Sequence, residues 1–238
     1  MSASIEIFND ELTVMINDQF RCHSLAAKGG GRTVQVSAGT GGEATVSYRT
    51  SSSTAPVIAV YCNALVVVEP RAVGPNNYSW RIRSMMQTPS VGFEWFVFDL
   101  PDVGIDAGGM IQLFNKSGDI VFDSNLKYMR VIKILSAGRN THFEKSYTNV
   151  PTGRKYAYSA GNASYTYQRA RGSFLANNVW EHTIDYMYYS SAGQLGQQFV
   201  HGGRERYLGT SVTGPANFGF FRRQSENSTG MIIDVTDF

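Results

Sequence analysis

Charge is in short supply in this chain of 238 residues, of which Asp, Glu, Lys and Arg together make up 17%. The 21 basic residues nearly balance the 19 acidic ones. The basic surface that neutralises a phosphate backbone is therefore missing, and nucleic acid is excluded as an expected partner. Cysteine is scarcer still. Cys22 and Cys62 are too few for a metal cluster and lack the dense spacing of a disulfide scaffold. Both are expected to be reduced, partly buried packing residues. Long hydrophobic runs are also lacking. The most apolar stretch, "APVIAVYCNALVVVEP" at 55–70, is interrupted by Cys62 and Asn63 and is shorter than the roughly 20 residues of a membrane-spanning helix. It reads as two buried strands joined by a tight turn, and no membrane insertion is expected. No basic-then-apolar leader follows Met1.

Aromatic residues reach 13% of the chain and glycines number 24, a mixture of strand formers and turn formers. Apolar and polar positions alternate in "IEIF", "TVQV", "ATVSY", "YSWRIR", "FEWFVF", "IQLF", "DIVF" and "RVIKIL", each bounded by Gly, Asn, Asp, Ser or Pro. No window holds a helical stripe for three turns. The ambiguous stretch "SFLANNVWEHTIDYMYY" at 173–189 reads as strands through Val179, Ile184, Tyr186, Tyr188 and Tyr189. The pattern predicts an all-β protein: an antiparallel β-sandwich running from "RTVQV" to "RVIKIL", an N-terminal hairpin arm and a second, Tyr-rich β region. Nine of the thirteen tyrosines lie beyond residue 140. This shift divides the chain into an arm at 1–27, a sandwich domain at 28–140 and a Tyr-rich domain at 141–238.

One phrase occurs twice. "MIQLFNKSGDIVFDS" at 110–124 predicts a hairpin, with Asn115 and Gly118 supplying its turn and Asp123 and Ser124 bonding to backbone amides two or three residues on. "SIEIFNDELTVMINDQF" at 4–20 offers a similar hairpin with a turn that reads shorter, so that the match takes a gap. Hairpin physics alone makes such sequences look alike; a reused building block is the sharper explanation. "KGGGR" at 28–32 lacks the spacing of a phosphate-binding loop and reads as a flexible joint after the first hairpin.

The succession of "FEWFVFD", a Gly-rich link and "GMIQLFNKSGDIVFDSNLKYMRV" resembles small virion proteins of tailed bacteriophages, encoded among tail-tip and tail-fibre components. In those proteins a phrase of the type G-L-x-V-F-N-x-x-G-x-L-x-F-D-S recurs. The opening "IEIFND" followed by "RCHSLAAKGG" is similar to the starts of the same group. The resemblance covers mainly residues 4–30 and 91–135 and brings no catalytic residues with it. It implies a structural component of a phage tail tip, baseplate or tail-fibre attachment. Such a protein is made in the bacterial cytoplasm, is present in multiple copies per virion and docks on other tail proteins. Ile5, Ile7 and Phe8 are the expected docking residues of the arm, because an isolated two-stranded hairpin needs a cover for its apolar face.

Residues that carry chemistry are sparse. His23, His142, His182 and His201 stand without metal-ligand spacing. Asp99, Asp102 and Asp106 in "FDLPDVGID" lack the closing Glu and alternate oxygen ligands of a calcium loop and read as a polar turn. "GTSVTG" at 209–214 is no nucleophile elbow, and "HGGRER" at 201–206 reads as a solvated turn. No catalytic residue, metal ligand or cofactor is assigned, and no enzymatic activity is expected. A glycan-cleaving enzyme ranks third among the functions weighed. The second is a carbohydrate- or receptor-binding module contacting the host surface. Its candidate face comprises Tyr156, Tyr158, Tyr165, Tyr167, Trp180, Tyr186 and Tyr188, since tyrosine combines a large apolar area with a polar tip. "YAY" and "YTY" each put both tyrosines on one side of a strand; filling a β core would use the same pattern.

Overall fold

Period-two segments set off by turn residues become strands throughout. A computed structural model of the chain describes residues 6–8, 14–17, 21–36, 41–72, 74–85, 88–101, 108–137, 146–162, 166–169, 180–183, 190–193, 196–201, 222–224 and 228–238. Among them every regular element is a β-strand and every pairing is antiparallel. A first pass of chain gives β1 (Glu6–Phe8), β2 (Val14–Asn17), β3 (Ser24–Arg32), β4 (Val34–Gln35), β5 (Gly42–Arg49), β6 (Val57–Cys62), β7 (Val66–Ala72), β8 (Asn77–Ser84) and β9 (Gly92–Asp99). A second pass gives β10 (Gln112–Phe114), β11 (Ile120–Asp123), β12 (Arg130–Ala137), β13 (Ser146–Asn149), β14 (Tyr156–Asn162), β15 (Thr166–Arg169), β16 (Trp180–Thr183), β17 (Ser190–Gly193), β18 (Gly196–His201), β19 (Arg222–Gln224) and β20 (Ser228–Asp234).

Two sheets form the sandwich. A four-stranded sheet of order β4-β5-β8-β7 faces a six-stranded sheet of order β12-β20-β14-β6-β9-β3. Val46, Val66, Val68, Trp80 and Ile82 from the smaller sheet pack on Ile58, Val60, Phe93 and Val97 from the larger. Full burial of each such side chain contributes about 1.5–3 kcal/mol. The alternate residues point outward, where Arg81 Nε donates to Glu69 Oε2 at 2.7 Å and Arg83 Nε lies 3.0 Å from Glu43 Oε1. The run at 55–70 supplies two buried strands, β6 and β7, joined by a tight turn. They do not pair with each other: the chain crosses there from the larger sheet to the smaller. The compositional change at residue 140 falls within the six-stranded sheet, which takes β14 and β20 from beyond it.

The repeated phrase has a structural counterpart that extends well past the hairpin. In β1–β2, Glu6 pairs with Asn17, Ile7 with Ile16 and Phe8 with Val14, and the register shifts between Ile7 and Phe8. In β10–β11, Gln112 pairs with Asp123, Leu113 with Phe122 and Phe114 with Ile120, and the register shifts between Leu113 and Phe114. Every paired residue of the first hairpin stands 106 positions before its counterpart (Glu6 and Gln112, Asn17 and Asp123), so the expected gap is not needed: five residues separate the two strands in each copy. The same separation relates β3 to β12, down to a bulge between Leu25 and Ala27 that recurs between Val131 and Lys133. Asp99 and Asp234 occupy matching places opposite Ser24 and Arg130. The correspondence continues: β5, β6, β7, β8 and β9 are matched by β13, β14, β17, β18 and β20, pair for pair. The six-stranded sheet is therefore two equivalent triplets, β3-β9-β6 and β12-β20-β14, joined where Tyr158 pairs with Val60.

The outer strands of these triplets meet again at their beginnings. Leu25 N donates to the Lys127 carbonyl at 2.8 Å and Met129 N to the His23 carbonyl at 2.9 Å, with Ser24 bridged to Tyr128. Two edges that touch at one end curl the sheet. The enclosed face carries a second core of Ala59, Phe96, Phe98, Ala157, Ile233 and Val235, with Leu25, Met129 and Phe238 against it.

"KGGGR" is not a joint. Lys28–Arg32 lies in β3 and pairs residue for residue with Phe96–Gly92. The absent side chains make room for rings on the partner strand: a Cβ on Gly29 would stand 2.5 Å from Trp95 Cζ2, and one on Gly31 2.7 Å from Phe93 Cζ. Aromatic rings lying over cross-strand glycines restore the packing that the glycines lack. Gly30 is different, its Cβ position meeting nothing nearer than the Phe93 carbonyl oxygen at 3.6 Å. Gly29→Ala is thus expected to displace Trp95 and to cost about 1–3 kcal/mol by overpacking, whereas Gly30→Ala should change stability by less than about 1 kcal/mol. Urea titration followed by tryptophan fluorescence reads both; equal effects would refute this account of the glycines.

Candidate docking surfaces

The second hairpin shows how such a unit is built and what it leaves outside. Asn115 Oδ1 accepts from Ser117 N at 2.9 Å and from Asp119 N at 2.8 Å, and Gly118 takes φ 83°, a conformation that favours glycine. At the far end Asp123 Oδ1 accepts from Asn125 N at 2.7 Å, as expected of an Asp two residues before an amide, and its Oδ2 accepts from Gln112 Nε2 at 2.7 Å. These bonds, from Gln112 foremost, hold the Asp123 carboxyl below its usual pKa. The Phe122 ring stacks on Tyr128 with centroids 5.4 Å apart. Ile120 and Val121 of β11 are buried. On the other side of the hairpin Met110 and Ile111, just before β10, are 99% and 59% exposed, and Phe114 at the end of β10 is 51% exposed.

A second apolar surface follows directly in the chain. β12 ends the six-stranded sheet and pairs on one side only among the described residues. Val131, Ile132 and Ile134 on it are exposed, Ile134 to 72%. Edge strands normally carry charge, proline or bulges that discourage further pairing. β3, at the opposite edge, has Ala26 and Lys28 where β12 has Ile132 and Ile134. The sequence carried a signal for this, because "RVIKIL" is apolar at positions of both parities, which a half-buried strand does not require.

The expected docking residues of the arm fall on the equivalent hairpin. Ile7 and Phe8 lie in β1 and correspond to Leu113 and Phe114; Ile5 lies outside the described residues and corresponds by separation to Ile111. The arm boundary at 27 is too late, since β3 begins at Ser24.

The tyrosine face does not hold together as expected. Tyr156 and Tyr158 do share one side of β14, but they are 1% and 5% exposed and pack with Val150 and Ile232. β14 is an interior strand between β20 and β6, and Ala157 on its other side is buried as well. Both tyrosines are core. Tyr167 is in β15 and Trp180 in β16; Tyr165, Tyr186 and Tyr188 lie outside the described residues.

Carboxylates expected to sit in polar turns are structural where they are described. Asp99 accepts from Tyr48 Oη at 3.1 Å, from Thr50 Oγ1 and from Leu100 N; Asp102 and Asp106 lie outside the described residues. Its counterpart Asp234 is wholly buried and accepts from Arg154 Nη1 at 2.6 Å and from Thr236 Oγ1 at 2.7 Å. Burial alone would raise its pKa, but the bonds from Thr236 and Arg154 and the charge of Arg130 outweigh it and hold the carboxyl below the ordinary range. Among the described residues no group of three or more His, Cys, Asp or Glu is placed to hold a metal ion, and no helix is long and apolar enough to cross a membrane. The chain matches no family model, no curated protein and no solved structure.

The cysteines differ. Both are free thiols, but Cys22 is exposed rather than partly buried, while Cys62 is in the core with its thiol donating to the Ala64 carbonyl. Burial pushes the Cys62 pKa up to about 12, so its reactive thiolate is negligible at neutral pH. Iodoacetamide at pH 8 should label Cys22 in the folded protein and Cys62 only after unfolding, as read by mass spectrometry of peptides. For Asp234 the lowered folded pKa means that its stabilisation is complete above the ordinary carboxylate range and is lost as pH falls through the depressed value. Asp234→Asn should cost about 1–3 kcal/mol at pH 7, and the difference from the unaltered protein should shrink in acid, measured by urea midpoints across pH.

Proposed function

We propose that this chain is a non-catalytic structural component of a tailed-phage virion, in the tail tip, baseplate or tail-fibre attachment, and that it works by docking on neighbouring tail proteins. The observation that carries the reading is the exposed apolar surface at residues 110–114 and the β12 edge, with Met110, Ile111, Phe114, Val131, Ile132 and Ile134 in solvent. A long apolar edge strand recruits another strand or an apolar cover, and stable assemblies bury such surface. The resemblance of residues 4–30 and 91–135 to small tail-associated virion proteins supplies the kind of assembly. The first hairpin, equivalent to the second in register and bulge, is a second docking element of the same design.

Two variants of the full-length gene in its phage test this. Ile132→Lys with Ile134→Lys blunts the β12 edge without touching the buried cores, and is expected to leave a folded protein that is missing from purified particles by mass spectrometry. Deletion of residues 1–20, which spares β3, should likewise fold, with a thermal midpoint within about 5 °C, and fail to incorporate. A lysine variant that enters particles at the normal level would sink the role of the edge. Absence of the unaltered protein from particles would sink the virion reading itself.

A further inference from the structure

Strand register gives the molecule an internal two-fold axis. His23 and Met129 are counterparts at the separation of 106 that relates the hairpins, and the antiparallel bridge of Ser24 to Tyr128 sets these two residues opposite each other. At the other seam Phe98 pairs with Val57 and Ile233 with Ala157, so β6 and β14 correspond at a separation of 100. The pairing of Val60 with Tyr158 then sets Ala59 opposite its own counterpart, Ser159. Both seams between the triplets therefore place a residue against its equivalent, as happens on the axis of an isologous dimer. The two hairpins directly precede residues 23 and 129, and the same axis relates them.

Few residues are kept across that axis. Between residues 4–20 and 110–126 the identical ones are Ile5 and Ile111, Phe8 and Phe114, and Asn9 and Asn115. The turn accounts for Asn115, whose side chain accepts from Ser117 N and Asp119 N. Folding does not account for the other two. Ile111 and Phe114 are 59% and 51% exposed, whereas the buried Ile120 and Val121 are Val14 and Met15 in the first copy. A core accepts such exchanges of apolar residues when volume is kept. An exposed apolar pair held at matching places on both sides of an axis is what a contact made twice requires. The β12 edge shows no such repetition, since Ile132 and Ile134 correspond to Ala26 and Lys28.

We infer that the two hairpins seat on two copies of one partner protein, in matching apolar grooves that each take an Ile and a Phe side chain. This rests on the docking role proposed above and sets its stoichiometry at one chain to two partner subunits. Area supports it. At their fractional exposures Met110, Ile111 and Phe114 together present on the order of 400 Å² of side chain. That is about half of the roughly 800 Å² that each side contributes to a stable interface. A second equivalent site on the same chain makes up the shortfall, because its engagement is intramolecular once the first is made.

The test places the photo-cross-linker benzoylphenylalanine at Phe8 or at Phe114 in the full-length gene in its phage, irradiates infected cells and identifies the adducts by mass spectrometry. Both positions are expected to join to the same peptide of the same protein. Adducts to different proteins, to different peptides of one protein or to another copy of this chain would overturn the inference, as would the lack of an adduct at Phe114. A second variant replaces "MIQLFN" at 110–115 with the "SIEIFN" of 4–9. Matching grooves predict incorporation into particles within about twofold of the unaltered level; a loss of about tenfold or more, with the thermal midpoint of the isolated protein unchanged, would refute them. If the exchanged chain fails to fold, the adducts decide alone. Because cross-linking is read in infected cells, a common adduct with no protein in purified particles would sink only the virion reading. Unlike adducts with the protein present in particles would sink only the inference of a shared partner.

Discussion

The antiparallel pairing of β6 with β14, where Val60 meets Tyr158, makes one sheet of the two halves of the chain. It fuses two three-stranded triplets into one six-stranded sheet, on which the four-stranded sheet packs. Tyr158 is half of the pairing and at the same time a core residue beneath β20, where a Cβ on Gly230 would come within 2.2 Å of its hydroxyl. Such close fitting leaves no room for slippage by one residue, which would turn the buried set of each strand outward.

The second tie between the triplets, through residues 23–25 and 127–129, is short but differently placed. It falls where each hairpin hands the chain to its outer strand, so both hairpins are rooted at the same end of the curled sheet. Phe238 lies in the enclosed core with its ring 5.6 Å from that of Phe98, and the Arg130 guanidinium lies 5.4 Å from its ring centroid. Cationic groups over an aromatic face shield it from water while keeping their own hydration.

Strand content and turns were legible because alternation and turn chemistry are local: Asn115 and Gly118 specify their turn, and Val46, Trp80 and Ile82 mark the inward face of their strands without knowledge of the partner. What depends on a distant strand was not. Three glycines in a row look like a hinge until Trp95 and Phe93 are placed over two of them. Tyr156 and Tyr158 look like a binding face until β14 is known to be interior. The duplicated hairpin was visible as words, yet its extension to the whole triplet was not, since Asp99 and Asp234 or Ile58 and Tyr158 correspond through pairing partners rather than through similar neighbours.

Two equivalent triplets in one polypeptide differ from two identical subunits in one respect. In a symmetric dimer every substitution appears at both edges, so an edge is either open twice or closed twice. Here Lys28 and Ala26 stand at one end of the sheet, where Ile134 and Ile132 stand at the other. The two ends of one sheet can thus carry different surfaces, one with a charge and a small residue and the other with two exposed isoleucines, which a symmetric pair of identical chains could not do.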